Sequence, residues 1–378
     1  MDMVIGVVVL AAPLLAIKFK VGSLGLGGLG FIVSIFYVLF CLPFGKLSDR
    51  WKRKHLIFIG CFLYFFSSLG ISFATNFFHL LIFMALTGIA GAMFWPSLEA
   101  WIAERGKGKL IKRISFFNIS WSLGISVGPL ISGVLFELNY HFPFYFAALI
   151  SLGVIYLVLK KLPASCEKKE KIAAVDNVLT VKDYFPQKDF SRSRNSSYLH
   201  AAWVANFTGW FVVGTIRYLF PKLSVEMGIK PSILGILIFF LSVSQAFFFY
   251  VLSRNSRWHY QLFPLVFFQT LGIMGLLLIF FFPSIFIFVF SFVFIGIAGG
   301  FTYFSSIFYS LNGTEDKGTK AGIHEVFVGA GGLAGPLIGG IFAQIYNLRI
   351  PYLAASLVVL TGIIIEVYLV RNSKIQKV

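Results

Sequence analysis

The sequence predicts an all-α integral membrane protein, with twelve transmembrane helices in two pseudo-symmetric six-helix bundles. Three observations predict it. The 378 residues are 58% hydrophobic and only 12% charged, with 46 Phe, whereas a soluble protein carries about 25% charged residues. Apolar runs of about 20 residues, enough to cross a bilayer as a helix, recur along the chain. Two short motifs also repeat at nearly one offset and in the same helix order. A barrel is excluded, because the runs are about twice the length of a barrel strand and lack period-two alternation.

Helix 1 is expected over Met3–Ile17. Met1-Asp2-Met3 lacks the positive region of a signal peptide, so this run reads as a retained span. Helix 2, Leu26–Phe44, leads into the basic stretch Gly45–Lys54 (G-K-L-S-D-R-W-K-R-K), too short for a domain and expected as a tight hinge. Helix 3 follows over Leu56–Ala74, helix 4 over Phe78–Trp101, helix 5 over Ser115–Glu137 and helix 6 over Phe142–Lys160. A polar linker, 162–197, separates the halves 1–161 and 198–378. Within it Val178–Phe185 has the character of a short amphipathic surface helix. The second half reads as Tyr198–Phe220, Ile233–Leu252, Gln261–Phe282, Ile285–Leu311, Gly322–Tyr346 and Pro351–Val370, with Pro283 between helices 9 and 10.

Charge orients the spans. Of 32 Lys and Arg, 26 fall in one alternate set of loops and tails; the other six are Lys18, Lys20, Arg217, Lys222, Lys230 and Arg349. Cytoplasmic loops are the ones rich in Lys and Arg, so both termini are expected in the cytoplasm and the protein in the plasma (inner) membrane. The same bias accounts for the net charge of +17 without a nucleic-acid partner. Cys41 and Cys61 lie in spans and Cys166 in the linker. No metal-ligand spacing or disulfide framework is present.

The repeats are specific. Gly88-Ile89-Ala90-Gly91 in helix 4 returns as Gly296-Ile297-Ala298-Gly299 in helix 10. Gly128-Pro129-Leu130-Ile131 with Gly133 in helix 5 returns as Gly335-Pro336-Leu337-Ile338 with Gly340 in helix 11. Six helices is an even number, so the halves share one orientation. Such parallel repeats place a site at the midplane between two bundles that rock about it.

With twelve spans, two halves, a central linker and the stretch Gly45, Leu47, Asp49, Arg50, Arg53, Lys54 between helices 2 and 3, the chain resembles a major facilitator superfamily transporter over its full length. Lys52 replaces the family's usual second glycine. The resemblance implies a cytoplasmic gate built on Gly45, Asp49, Arg50, Arg53 and Glu104. Asp49 would face the start of helix 11 near Ala321–Gly322, where a helix N-terminus favours an anion. Arg50 or Arg53 would reach Glu104 or Glu99. The alternative is that these charges only set topology. The twin stretch in the second half, Ser253–Trp258, has no aspartate. Helix 5, with Gly124, Gly128, Pro129 and Gly133, is similar to a signature of the superfamily's drug–proton antiporters. Its counterpart Gly331, Gly335, Pro336 points equally to close helix packing in both halves. Two departures weigh against that branch: Met84 or Thr87 stands where a helix-4 arginine is usual, and helix 1 has no acid beyond Asp2.

Ionisable groups at membrane depth are functional candidates. His324 and Glu325 near the start of helix 11, with Asn118 as Glu325's repeat partner, are candidates for proton coupling or for the gate. An imidazole titrates near neutral pH, and a carboxylate there could exchange a proton. Arg217 reads as snorkelling to the outer interface rather than as an anion site, and Glu366 as peripheral. In the resembled fold helices 1, 4, 7 and 10 line the central cavity. The candidates are then Trp95 on helix 4, Asn206 and Trp210 on helix 7, and Thr302, Tyr303, Ser306 and Tyr309 on helix 10, with Thr208, Gln245 and Gln269 less central.

No nucleotide loop, metalloprotease motif or nucleophile elbow is present, so no enzyme is expected. The expectation is a monomeric secondary transporter without cofactor or metal. It would move a small amphipathic organic molecule by alternating access, with proton-coupled export, an antiport, as the leading mode. Uptake or facilitated diffusion of a sugar-like or other polar metabolite is the alternative, and a receptor or scaffold that no longer transports is the third. The expected partners are the substrate, protons and the lipid bilayer.

Overall fold

A computed structural model of the chain describes residues 1–104, 110–161, 192–254, 257–311 and 317–375; at positions 49, 99–100, 102–104, 110–119, 192–195, 311, 317–319, 321 and 373–375 only the backbone is described. Val178–Phe185 and Cys166 lie outside the described residues.

Among the described residues there are twelve helices: α1 (Asp2–Lys18), α2 (Ser23–Arg50), α3 (Arg53–Ser72), α4 (Phe77–Glu104), α5 (Leu110–Leu138), α6 (Phe142–Lys161), α7 (Arg192–Glu226), α8 (Pro231–Arg254), α9 (Leu262–Phe281), α10 (Ile285–Leu311), α11 (Lys317–Ile345) and α12 (Ile350–Ile375). Ten of them are long and apolar enough to cross a membrane. The other two are α1, which is 17 residues long, and α7, whose run is diluted by Asn206, Arg217 and Lys222. Phe282–Ser284 break the chain between α9 and α10 at Pro283, which cannot continue a helical hydrogen-bond ladder.

The basic stretch departs from its expected form. α2 continues through Gly45–Arg50, and α3 begins at Arg53, so only Trp51 and Lys52 connect them. Trp51 is extended, with its N–H donating to the carbonyl of Leu47. Basic residues prolong α2 past the apolar run because cations in a last turn complement the helix dipole. Arg50 lies in that last turn, and Lys54 Nζ donates to the carbonyl of Leu159 at 3.0 Å, tying α3 to the end of α6.

Each half has its own apolar core. One buried cluster is built on α1–α4 and α6 and takes in Tyr218 and Leu219 of α7. Another is built on α7–α10 and α12 and takes in Leu10 and Leu14 of α1. These exchanges occur where α1 and α7 meet, towards the ends away from the basic loops, called here the far side.

The repeated glycines do the same work twice. A Cβ at Gly88 would strike the carbonyl of Val33 on α2, and one at Gly296 the carbonyl of Leu241 on α8. Gly128 lies against the Met3 carbonyl and Gly6 Cα, and Gly335 against the carbonyl of Phe211. Pro129 frees the carbonyl of Ile125 and Pro336 that of Gly332, because proline has no N–H to offer residue i−4. Those carbonyls point at Gly6 and Gly214, each 3.2 Å from where a Cβ would stand.

Two seams then join the halves, α2 on α11 and α5 on α8. Gly27 faces the carbonyl of Pro336, and Gly340 approaches Gly27 Cα and the carbonyl of Ser23. Gly235 faces the carbonyl of Pro129, and Gly133 that of Pro231. On the far side Glu137 also accepts from the Ser232 N–H at 2.7 Å, and Lys222 donates to the Val21 carbonyl at 3.5 Å.

Candidate functional site: a cavity between the halves

The seams leave a cavity of about 230 Å³ at mid-depth, lined from α1–α5, α7, α10 and α11. Aromatic rings form much of its wall: Tyr37, Tyr64, Trp95, Trp121, Trp210, Tyr218 and Tyr303. Trp95 and Tyr303, equivalent positions in the repeat, both face it. Tyr303 is the hub. Trp121 stacks on it at 6.0 Å between centroids, Trp210 meets it edge-on at 6.3 Å, and the His324 ring lies 5.0 Å away. Such rings hold a flat apolar body while presenting polar tips.

One carboxyl and one guanidinium side chain line the same cavity, Glu325 and Arg217. Behind Glu325, His324 is fully buried. Its Nδ1 lies 2.7 Å from Ser306 Oγ and 3.3 Å from Asn206 Nδ2. An amide nitrogen can only donate, so Nδ1 is the acceptor and Nε2 carries the hydrogen. Nε2 stands 3.8 Å from Glu325 Oε1, beyond hydrogen-bond length. α7, α10 and α11 thus bring together four residues far apart in sequence: Asn206, Ser306, His324 and Glu325.

Arg217 sits about 16 Å further along α7 than Asn206, from the 1.5 Å rise per residue. Its guanidinium lies 5.5 Å from the centre of the Trp210 ring, two turns back towards mid-depth. It therefore folds into the cavity rather than out to the interface. The signal was in the sequence: 206, 210, 213 and 217 fall on one face of a helix, and two of them were already candidates.

Other candidates stand elsewhere. Thr302 is buried, donating to the Gly299 carbonyl at 3.2 Å, and lines a separate void of about 20 Å³ with Thr208 and Gln269. Tyr309 packs inside the second half, its hydroxyl accepting from the Tyr260 N–H at 2.8 Å. Glu366 is fully buried rather than peripheral; its Oε2 accepts from Gln269 Nε2 at 2.6 Å. Gly124 and Gly331 sit in helix packing, against Asp2–Met3 and against the Phe207 carbonyl. Of the residues expected to form a gate, Arg53 is half-buried and Arg50 exposed, while a Cβ at Gly45 would meet nothing within 4 Å. The side chains of Asp49, Glu99, Glu104 and Asn118 lie outside the described residues. Tyr37, Tyr64, Trp121 and Tyr218 were missed, since aromatic residues are too frequent in this chain for any one to stand out.

A family model described as Major Facilitator Superfamily matches residues 1–318. An uncharacterized MFS-type transporter of Methanocaldococcus jannaschii is 27% identical over 209 residues, covering 54% of this chain and 52% of that protein. The quinolone resistance protein NorA of Staphylococcus aureus is 29% identical over 156 residues, covering 40% of this chain and 39% of NorA. The chain thus matches about half or less of these relatives' lengths. Among solved structures, a bacterial homolog of the human lysosomal transporter Spinster, in an inward-facing and occupied conformation, superposes with a TM-score of 0.72 at 16% identity, covering 98% of this chain and 94% of that one. The nucleoside transporter NupG superposes with a TM-score of 0.66 at 13% identity, covering 97% of this chain and 98% of that one. At such identities the likeness is one of fold.

Proposed function

The chain belongs to the Major Facilitator Superfamily, and from that premise we propose that it moves a small amphipathic organic solute across a membrane by alternating access, coupled to protons through Glu325. The observation that carries this reading is the aromatic cavity between the halves with Glu325 opening onto it. A solute held there touches both halves, so its binding can bias their rocking.

Glu325 makes no hydrogen bond to a described residue, and His324 stands next to it at 3.8 Å. A carboxylate at membrane depth without a donor is costly when ionised. Exchange of a proton between Glu325 and the cavity removes that cost. His324, held by Ser306 and Asn206, fixes the turn of α11 that carries Glu325. The other charge facing the cavity, Arg217, makes no ion pair with it.

The working unit in this reading is the pair of halves 1–161 and 198–378 about the linker 162–197, with both termini cytoplasmic. Gly45–Lys54 serves as the cytoplasmic gate, with Asp49, Arg50, Arg53 and Glu104 as its charges. The far-side seams close the opposite face.

Proteoliposomes test it. A quinolone, a nucleoside and an aryl carboxylate are offered with and without a pH gradient. The gradient is expected to drive accumulation of at least one, and Glu325→Gln to retain exchange while losing gradient-driven accumulation. Accumulation indifferent to the gradient for every solute, or intact coupling in Glu325→Gln, would overturn the proposal.

A further inference from the structure

We infer that Arg217 is an anion anchor, and that the solute class of the cavity is an organic anion: a flat aromatic or apolar body bearing one carboxylate, sulfonate or comparable group. This rests on the reading of the cavity as the solute site.

The argument begins with what Arg217 lacks. Its guanidinium makes no hydrogen bond and no ion pair to any described residue, and its one close partner is the Trp210 ring at 5.5 Å. A cation over an aromatic face gains a modest electrostatic attraction. That offsets only part of what the half-buried guanidinium loses in hydration, which a paired anion in good geometry restores. Arginine at membrane depth with a free fork is a residue built for a planar oxyanion, since its donors match a carboxylate in pairs.

The described acids are committed, distant or unpaired with Arg217. Glu325 shares the cavity but makes no ion pair with Arg217, whose guanidinium lies beside Trp210. Glu137 is engaged with the Ser232 N–H at 2.7 Å. Glu366 is sealed inside the second half against Gln269, and Asp2 sits by Gly124 at the opposite end of α1 from the far side. Snorkelling, the other outlet for an arginine here, is closed. The side chain turns towards Trp210, away from the α7 terminus at Glu226, and Tyr218 and Leu219 beside it are buried in the first half's core.

The remaining wall specifies the rest of the molecule. Trp210, Tyr303 and Trp121 form a continuous run of rings, Trp210 edge-on to Tyr303 at 6.3 Å and Tyr303 stacked with Trp121 at 6.0 Å. A ligand with its anionic group at Arg217 lays its ring system along that run, towards Glu325. The anionic head at Arg217 and the proton site at Glu325 then take separate places in one cavity.

Three isosteric probes separate head-group charge from ring binding: indole-3-acetate, indole-3-acetamide and tryptamine. Affinity of the detergent-solubilised full chain is read by thermal shift titration at pH 7.5, and counterflow of each probe is read in proteoliposomes. Wild type is expected to bind indole-3-acetate about tenfold more tightly than tryptamine. Arg217→Gln is expected to lose that preference while binding the amide as wild type does, which also shows that the variant is folded. Equal or tighter binding of tryptamine by wild type, no binding of any probe, or an undiminished preference in Arg217→Gln would overturn the inference. The wild-type comparison decides even if the variant does not fold. Binding of the anion without counterflow would keep the anchor and remove the transport reading, whereas counterflow of tryptamine alone would do the reverse.

Discussion

Gly27 of α2 lies directly against the carbonyl oxygen of Pro336 in α11, and the same contact recurs between Gly235 of α8 and the carbonyl of Pro129 in α5. A side chain at either glycine has backbone in its path, which cannot swing aside as a flexible side chain would. Gly27→Ala and Gly235→Ala are each expected to lower stability by about 1–3 kcal/mol, the usual cost of overpacking. They are also expected to raise the reactivity of a cysteine placed on the far side of the cavity. Melting curves and thiol labelling check this, and unchanged values in both variants would show that the seams yield.

The Ser306–His324 contact at 2.7 Å joins α10 to α11 behind the cavity wall. Ser306→Ala is expected to cost about 1–2 kcal/mol, because it removes a partner from a buried ring nitrogen. In a His324→Ala background the same substitution is expected to cost little, giving a coupling energy of about 1 kcal/mol. Strict additivity in that double-mutant cycle would mean that the contact contributes nothing.

Glu366 has one oxygen bound by Gln269 at 2.6 Å and the other, Oε1, without a partner. Glu366→Gln preserves an acceptor for Gln269 and removes an ionisable group from the core. It is expected to change stability by less than about 1 kcal/mol, whereas Glu366→Leu, which deletes the acceptor, is expected to cost about 1–3 kcal/mol. Denaturation of the two variants side by side decides the order.

His259, in the connection between α8 and α9, stacks on Phe308 at 4.2 Å, and burial lowers its pKa to about 4. The unfolded chain takes up a proton near the ordinary value of 6.5 while the folded one does not. Stability is therefore undiminished above that value and is lost as pH falls from about 6.5 towards 4. The melting temperature is expected to drop across that window in wild type and to drop less in His259→Gln. Parallel slopes would remove His259 as the cause.

The helices were legible because a membrane span must satisfy its own backbone hydrogen bonds, which makes long apolar runs unambiguous. The repeat was legible because glycines that admit another backbone tolerate little else. Helix ends were less so: α2 runs on to Arg50 because dipole and charge, rather than hydropathy, decide where it stops. Facing was hardest. Depth alone allowed Arg217 to reach either the interface or the cavity, and only the packing of Tyr218 against the first half turns it inward. Glu366 looked peripheral by position, yet Gly362 lets α12 approach Thr208 closely enough to enclose it.

The connection of α2 to α3 runs through Trp51 and Lys52 alone. Two residues reach about 7 Å when extended, so any tilt of the lower end of α2 must drag α3 with it, and Lys54 passes that pull on to α6. In the second half residues 255–261 separate α8 from α9; there Trp258 Nε1 donates back to the Leu252 carbonyl of α8 at 3.2 Å, and the Tyr260 N–H donates to Tyr309 of α10 at 2.8 Å. A pull on α2 is thus handed to α3 and α6, and one on α8 to α10, so the two halves share load among their helices by different routes.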